Sequence, residues 1–592
     1  MMFARRSRGI AGADMVPLLL ALLIPSSLDD SVRAALGRHH VPGAVVAIVR
    51  QGQPPSVTGY GIANAETHSP VDPEQTAFRT ASVSKVITAA IVAQLIDQGK
   101  LDPAADVNRY LDFTIPAYDG KPIALAHLLT HTAGLDDRYI GKSARSFDLA
   151  LPLGAYLKRN LPTRIVPPGE VFLYSNYGVA LAGYIAERVC GKPFAELAQG
   201  MVFRPLGMTH SSFLLAQPAA TPYQWTGSAY QALPWDYLQD APAGMQMSSG
   251  TDMARLIQWA LDHASRPEFQ IHFTHNARLI GGIGWGWDLG QSRGHPFAGH
   301  DGGLPGAVAR VRVFPRDGAG YFIAANALSG SFLGEVAASV EQLMLHDVPP
   351  APLPPPTRWD ASVAAFTGVY RDVRYSHDTL LKVGVLMGYL GGELTIGAAP
   401  GGYITMPKLD GSSRRMAQVA PNLFQSLDDN YLCAFRRDSS GRVTHLFTSG
   451  TTAMERVPRL LSAPIQRDVF LLCALALVLL IVAPMRRWLL PDWLRAPANL
   501  AANAFGFHLL GLGIVLQLLT SSVERQGGYM YGLPWPIWIV QSLGVLGTAC
   551  LGWFLVRLFQ RRPRGVLPWL SGVALTVYGA WLWHWRLLGY WF

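Results

Sequence analysis

The chain has 592 residues, of which 50% are hydrophobic and 15% charged, with a formal net charge of +9. That length exceeds a single core, and so apolar a composition points to membrane segments beside folded domains. The arginine excess flanks apolar runs near the two ends and forms no basic patch interleaved with aromatics, which argues against nucleic acid. Four cysteines without a CxxC pair argue against a disulfide framework or a cysteine zinc site.

In chain order, Arg5, Arg6 and Arg8 precede an apolar run at 16–24 and then Pro25-Ser26-Ser27, so residues 1–27 read as a signal peptide. Residues 28–346 form one mixed segment. A helix is expected at 28–39, strands at 43–50 and 56–63, and a long helix after Ser82 that ends at Gly99. Strands at 307–314 and 321–326, joined by a turn at Arg316-Asp317-Gly318, precede an amphipathic helix at 333–346. Strands at both ends with helices between predict an α/β domain whose sheet is closed by its own two termini, not a Rossmann repeat.

The proline-rich stretch 347–357 reads as a semi-rigid linker. Residues 358–458 hold short strand candidates at 366–370, 380–386, 392–396, 423–427, 431–436 and 443–448, the pattern of a small antiparallel β-barrel or sandwich. No catalytic constellation is visible there, so the residues before the linker are expected to hold the whole site. Within 466–592, four apolar stretches (469–484, 500–521, 535–558 and 566 onward) predict an α-helical transmembrane bundle. Arg486, Arg487 and Arg495 lie between the first and second stretches, and Arg557, Arg561, Arg562 and Arg564 between the third and fourth. By the positive-inside rule those loops are cytoplasmic and everything before Val469 is outside. The expected location is a bacterial cytoplasmic membrane, multi-pass, with the catalytic domain extracytoplasmic.

The chemistry-bearing residues lie in three places. In Ser82-Val83-Ser84-Lys85 a serine at a helix start has a lysine one turn on, so both side chains share a face. A serine hydroxyl is a weak nucleophile until a base takes its proton, and a buried lysine with a lowered pKa can be that base. Ser84 points elsewhere. In Tyr174-Ser175-Asn176, the phenol can exchange protons with the serine and the leaving group, and the Asn176 amide can bind a substrate carbonyl. In Gly299-His300-Asp301-Gly302-Gly303 the glycines open a strand edge to substrate. There the Gly303 N–H can join that of Ser82 in an oxyanion hole, a donor worth about a hundred- to thousandfold in rate. His127 and His131 are four apart but lack the glutamate of the H-E-x-x-H pattern, and are read as structural. No metal or cofactor is expected.

These elements, in this order, resemble the serine β-lactamase and penicillin-binding protein superfamily. The segment His127-Leu128-Leu129-Thr130-His131-Thr132-Ala133-Gly134-Leu135 is similar to a motif of its class C β-lactamase-like branch, which includes D-alanyl-D-alanine carboxypeptidases, D-aminopeptidases, esterases and β-lactamases. The resemblance covers 28–346. It implies a serine acyl-enzyme with Ser82 as nucleophile, Lys85 and Tyr174 in proton transfer, and Asn176, His300, Gly302 and Gly303 on the substrate. The third motif usually begins with lysine, a permanent cation for a substrate carboxylate; histidine here shifts the resemblance from β-lactamases towards esterases and peptidases. Residues 358–458 resemble the lipocalin-like domain of some of these enzymes. The appended helices resemble membrane-bound peptidases that remove an N-acyl-D-amino-acid cap from peptide prodrugs.

The expectation is a membrane-anchored serine acyl hydrolase cleaving a peptidic amide. Its partners would be a small acyl, ester or peptide substrate and membrane lipid, with the oligomeric state open. An esterase or acyltransferase using the same serine is the alternative. A sensor that signals on acylation would need a cytoplasmic output domain, and the predicted cytoplasmic loops are short.

Overall fold

The computed structural model describes residues 27–215, 218–349, 363–408, 410–429, 431–482, 487–520 and 528–590. The expected signal peptide and most of the proline-rich linker lie outside the described residues.

The first domain is built on an eight-stranded antiparallel sheet. Its strand order is Gly282–Ile283, Asp288–Ser292, His295–Leu304, Ala307–Phe314, Ala319–Ala325, Gly43–Arg50, Ser56–Asn64 and Ser69–Pro70. The N-terminal strand pairs with the last long strand in the register Val46↔Ile323, so the two ends of the domain close one sheet as expected. Side chains alternate across that strand. Val45, Ala47 and Val49 join the core that holds Ile87, Ile257 and Phe322, whereas Ala44 and Val46 face helices Leu28–Arg38 and Gly330–Met344. This two-residue period explains why a run as apolar as GAVVAIVR is stable only with helices on both faces. The turn at Ala81–Val83 packs against the strand His295–Leu304, whose residues 300–304 run past the end of the strand Asp288–Ser292 and pair only with Ala307–Phe314.

The second domain is a closed eight-stranded antiparallel barrel, its first strand Gly368–Asp372 pairing with its last, Ala453–Val457. Phe366, Tyr370, Phe424 and Phe435 form the aromatic centre of its core. The strand expected at 380–386 is instead a 3-10 turn, Leu380–Val383, followed by the short helix Gly384–Met387. Its apolar run does not alternate. It buries Leu380, Val385 and Leu386 in the cluster centred on the C-terminal helices rather than in the barrel.

The C-terminal region folds as helices Ala463–Ile481, Asp492–Thr520, Pro536–Arg561 and Leu567–His584. Among the described residues three helices are long and apolar enough to cross a membrane, where four were expected. The fourth is 18 residues long, and Trp569, Tyr578, Trp581 and Trp583 dilute its aliphatic content. Close packing uses Gly547: a Cβ there would lie 2.7 Å from the Phe505 ring.

Both appendages dock on the first domain. Val171 and Leu279 share an apolar cluster with Leu423 and Phe447 of the barrel. Gly450 of the barrel comes so near Gly281 that a Cβ would lie 2.0 Å from its carbonyl oxygen. From the helical region, the turn Gly528–Tyr531 reaches back. The Gly141 N–H donates to the Tyr529 carbonyl at 3.0 Å, Met530 is buried in the first domain's core, and the Arg145 guanidinium lies 4.4 Å from the Tyr531 ring centre.

Candidate active site

Ser82 sits in the 3-10 turn that leads into helix Ser84–Asp97. The preceding Ala81 has φ 50°, a left-handed conformation that costs a non-glycine residue about 1–3 kcal/mol and recurs where a side chain must be presented sharply. Ser84 is turned inward as expected: its hydroxyl donates to the Ala81 carbonyl at 2.5 Å and accepts the Gln246 N–H at 3.0 Å. Ser82 is thereby left facing the cleft.

Two groups hold the Ser82 hydroxyl. Lys85 Nζ lies 3.0 Å and Tyr174 OH 2.9 Å from Oγ. Lys85 is fully buried, and its Nζ also donates to Asn176 Oδ1 at 2.8 Å and to the Ala243 carbonyl at 2.6 Å. Loss of hydration lowers its pKa from 10.5 to about 7. The neutral amine, able to accept a serine proton, is thereby made accessible near neutral pH. Burial pushes the Tyr174 phenol up, so it remains a proton donor.

Asn176 begins helix Asn176–Cys190, whose N-cap Ser175 accepts the Gly178 N–H at 3.1 Å. Its amide is held by Asp137, whose Oδ2 accepts from Nδ2 at 2.8 Å and whose Oδ1 accepts the Asn176 backbone N–H at 3.3 Å. His131 is buried and stacks on Tyr174 with centroids 4.4 Å apart, while its Nδ1 accepts the Ser175 N–H at 3.2 Å. His127 Nδ1 accepts the Ala124 N–H at 3.0 Å. Both histidines thus have positioning jobs. Burial drives the pKa of His131 well below its ordinary value, which keeps it neutral beside Lys85.

The glycine-rich strand forms the opposite wall. Gly302 packs against the Ser82 turn so closely that a Cβ would lie 2.2 Å from the Thr80 carbonyl oxygen and 3.1 Å from the Ser82 nitrogen. Gly303 is exposed and lines the cleft with Ser82, Tyr174 and His300. His300 is buried, with its pKa lowered by desolvation. Its Nδ1 lies 2.6 Å from the Asp301 carbonyl oxygen, an acceptor, so the proton sits there. Nε2 has no hydrogen-bond partner among the described residues, and the ring supplies no cation.

All seven residues singled out from the sequence therefore meet at one cleft of about 740 Å³ or directly behind it. The expectation that the first domain holds the whole site needs correction. Asp372, Val373 and Arg374, together with Ser449, Thr451 and Thr452, bring the barrel into the cleft wall. The adjacent acids Asp136 and Asp137 link the two halves: while Asp137 holds Asn176, Asp136 accepts the His377 N–H of the barrel at 2.8 Å. Sequence reading missed Arg374 and the two acids. The acids follow the HLLTHTAGL segment directly, a usable signal; Arg374 belongs to no pattern.

A serine turn held between a helix and a glycine-rich strand, with lysine and tyrosine on its hydroxyl, is the arrangement of the β-lactamase fold, a family with serine hydrolase members. Residues 28–343 match the family described as Beta-lactamase, more than half of the chain, and the protein belongs to that family. Among curated relatives, penicillin-binding protein 4 of Amycolatopsis lactamdurans is 28% identical over 308 residues, covering 47% of this chain and 79% of the relative. Esterase EstB of Burkholderia gladioli is 33% identical over 222 residues, which is 34% of this chain and only 55% of the esterase's length. Among solved structures, SurE aligns at TM-score 0.49 and 24% identity over 73% of this chain and 99% of its own. The octameric penicillin-binding protein homologue from Pyrococcus abyssi aligns at TM-score 0.49 and 18% identity over 72% and 99%.

Proposed function

We propose that this chain is a membrane-anchored serine acyl hydrolase that cleaves a peptidic amide through a Ser82 acyl-enzyme on the outer side of a cytoplasmic membrane. The observation that carries the reading is the Ser82 hydroxyl, held at 3.0 Å by a buried lysine of lowered pKa and at 2.9 Å by a tyrosine. In acylation, neutral Lys85 takes the Ser82 proton as Oγ bonds to the substrate carbonyl carbon. The oxyanion is met by the Ser82 and Gly303 N–H groups. The phenol of Tyr174 passes a proton to the leaving nitrogen as the C–N bond breaks and is reprotonated from Lys85. Water then attacks the ester, with the proton moving back through the same groups.

The docking of Tyr529 and Met530 on the hydrolase domain supports placing that loop and the domain on one side of the membrane, in keeping with the arginine asymmetry. Two observations favour an esterase instead: His300 is neutral where lysine would meet a carboxylate, and one relative is an esterase. Profiling the full chain against D-amino peptides, p-nitrophenyl esters and a chromogenic cephalosporin separates these readings. The peptidase reading requires turnover of a peptide that is lost in Ser82→Ala, with a mass adduct on the Ser82 peptide. Ester turnover alone would replace it with the second reading. An adduct on Ser84 or Ser175 would reject both.

A further inference from the structure

The barrel sends one excursion away from its own core. Between its first two strands, Gly368–Asp372 and Glu393–Ala399, the chain leaves and returns through a closed base. Arg371 there pairs with Glu393, and the Asp372 N–H donates to the Gly392 carbonyl at 2.9 Å. The near arm, Asp372, Val373 and Arg374, lines the Ser82 cleft. The far arm, 380–390, turns to the helical region. Its Leu380, Val385 and Leu386 are buried in the cluster that holds Leu477, Trp581 and Leu588, and helix Gly384–Met387 packs on helix Ala463–Ile481.

The level of that contact is set by two side chains. Lys382 Nζ lies 5.9 Å from the centre of the Trp585 ring, and Trp585 Nε1 donates to Gln466 Oε1 at 3.0 Å. Gln466 is in the first turn of its helix, so the far arm meets the bundle at the end that faces the folded domains. Gly388, at φ 75°, stops the short helix with its N–H on the Gly384 carbonyl. The reversed chain packs Leu390 inward and leaves Tyr389 outward. Met387 is 50% and Tyr389 76% exposed, and the Tyr389 side chain makes no hydrogen bond or ring contact among the described residues.

The neighbouring surface says what covers this face. Further along helix Ala463–Ile481, Leu471, Leu475 and Val478 are each more than half exposed, on a helix long and apolar enough to cross a membrane. Trp535 and Trp538 at the start of helix Pro536–Arg561 are exposed too. Tyr590 stacks on Trp538 with centroids 5.2 Å apart and shares a 3.0 Å hydrogen bond with Ser542. These rings stand at the same end of the bundle, where an aromatic belt meets the headgroups. Tyr389 adds a ring from the barrel to that belt. Lys382, beside Trp585, can lay its stem on apolar surface with its ammonium among headgroups.

We propose that Met387 and Tyr389 enter the outer leaflet of a phospholipid bilayer, so that the barrel rests on lipid and carries one wall of the Ser82 cleft with it. This rests on the membrane reading of the helices. The test uses the full chain with Cys190→Ala and Cys550→Ala in nanodiscs of phosphatidylethanolamine and phosphatidylglycerol. A nitroxide is attached in turn at Met387→Cys, Tyr389→Cys, Leu475→Cys and Ser439→Cys. Ser439 is exposed in a turn at the other end of the barrel. Collision rates with oxygen and with a water-soluble nickel chelate give each label's depth. Labels at 387 and 389 should lie about 5–10 Å into the headgroup–acyl boundary. The label at 475 should lie deeper, and the one at 439 in water.

Labels at 387 and 389 as open to nickel as the one at 439, with 475 in lipid, overturn the proposal and leave the membrane reading standing. A label at 475 in water rejects both. Exclusion of both reagents at 389, with dipolar broadening between copies, assigns the face to a second copy of the chain and also overturns the proposal.

Discussion

Lys85→Met isolates the cost of the buried base. Moving its pKa from 10.5 to about 7 corresponds to about 5 kcal/mol. Because the folded pKa is the lower one, the unfolded chain holds more protons between pH 7 and 10.5. The full cost is therefore borne below pH 7 and is recovered as pH rises through that window. Methionine removes the cost but leaves Asn176 Oδ1 and the Ala243 carbonyl without their donor, at about 1–3 kcal/mol each. The variant should lie within a few kcal/mol of the parent at pH 6. It should then lose roughly 3 kcal/mol relative to it by pH 9.5, since only the parent gains. Denaturant melts of the catalytic domain within the full chain, run across that range, measure the difference. In parallel, Ser82 labelling by a fluorophosphonate should rise through about pH 7 in the parent and be slow and flat in Lys85→Met. A stability difference that does not change with pH, or parent labelling that is flat from pH 5 to 9, would refute the lysine as a neutral base.

Tyr174→Phe should slow acylation by roughly a hundred- to ten-thousandfold while the melt is barely changed, because the phenol serves proton transfer rather than packing; stopped-flow acylation checks this. Gly302→Ala should abolish labelling, since its Cβ would lie 2.2 Å from the Thr80 carbonyl and displace the nucleophile turn; a variant that labels at the parental rate contradicts that packing. Asp137→Ala leaves the buried Asn176 amide unheld and should cost about 1–3 kcal/mol in stability together with a loss of labelling rate. A periplasm-dependent phosphatase fused after Pro458 should be active and one fused after Arg564 inactive; the reverse pattern would overturn the topology.

How much was legible follows from the distance over which each signal acts. Ser82 and Lys85 are one turn apart, and the β-branched apolar run of 43–50 is local, so both could be read from consecutive residues. Tyr174 and the glycine strand lie far away in sequence. Their chemistry suggested a place beside Ser82 and the resemblance supplied the arrangement, with which the distances agree. The segment 380–386 misled because an apolar run without alternation does not distinguish strand from helix, and the deciding partner is a helix some eighty residues later. Arg374 could not be found at all. Its place in the cleft wall depends on how a second domain docks, and that docking is carried by contacts such as Asp136–His377 and Gly450–Gly281 that leave no periodic trace.

Met530 deserves a mechanical reading. A catalytic domain joined to its anchor only through a flexible chain sweeps a hemisphere and meets substrates at any height. Here the turn Gly528–Tyr531 inserts into the domain itself, acting as a second strut beside the covalent connection at Ala463. On the proposed membrane reading, two struts fix both the altitude and the tilt of the cleft over the bilayer. Substrates that diffuse in or along the lipid surface would then present their scissile bond at one depth. Loosening the strut by Met530→Ser should impair turnover of membrane-bound substrates more than that of soluble ones.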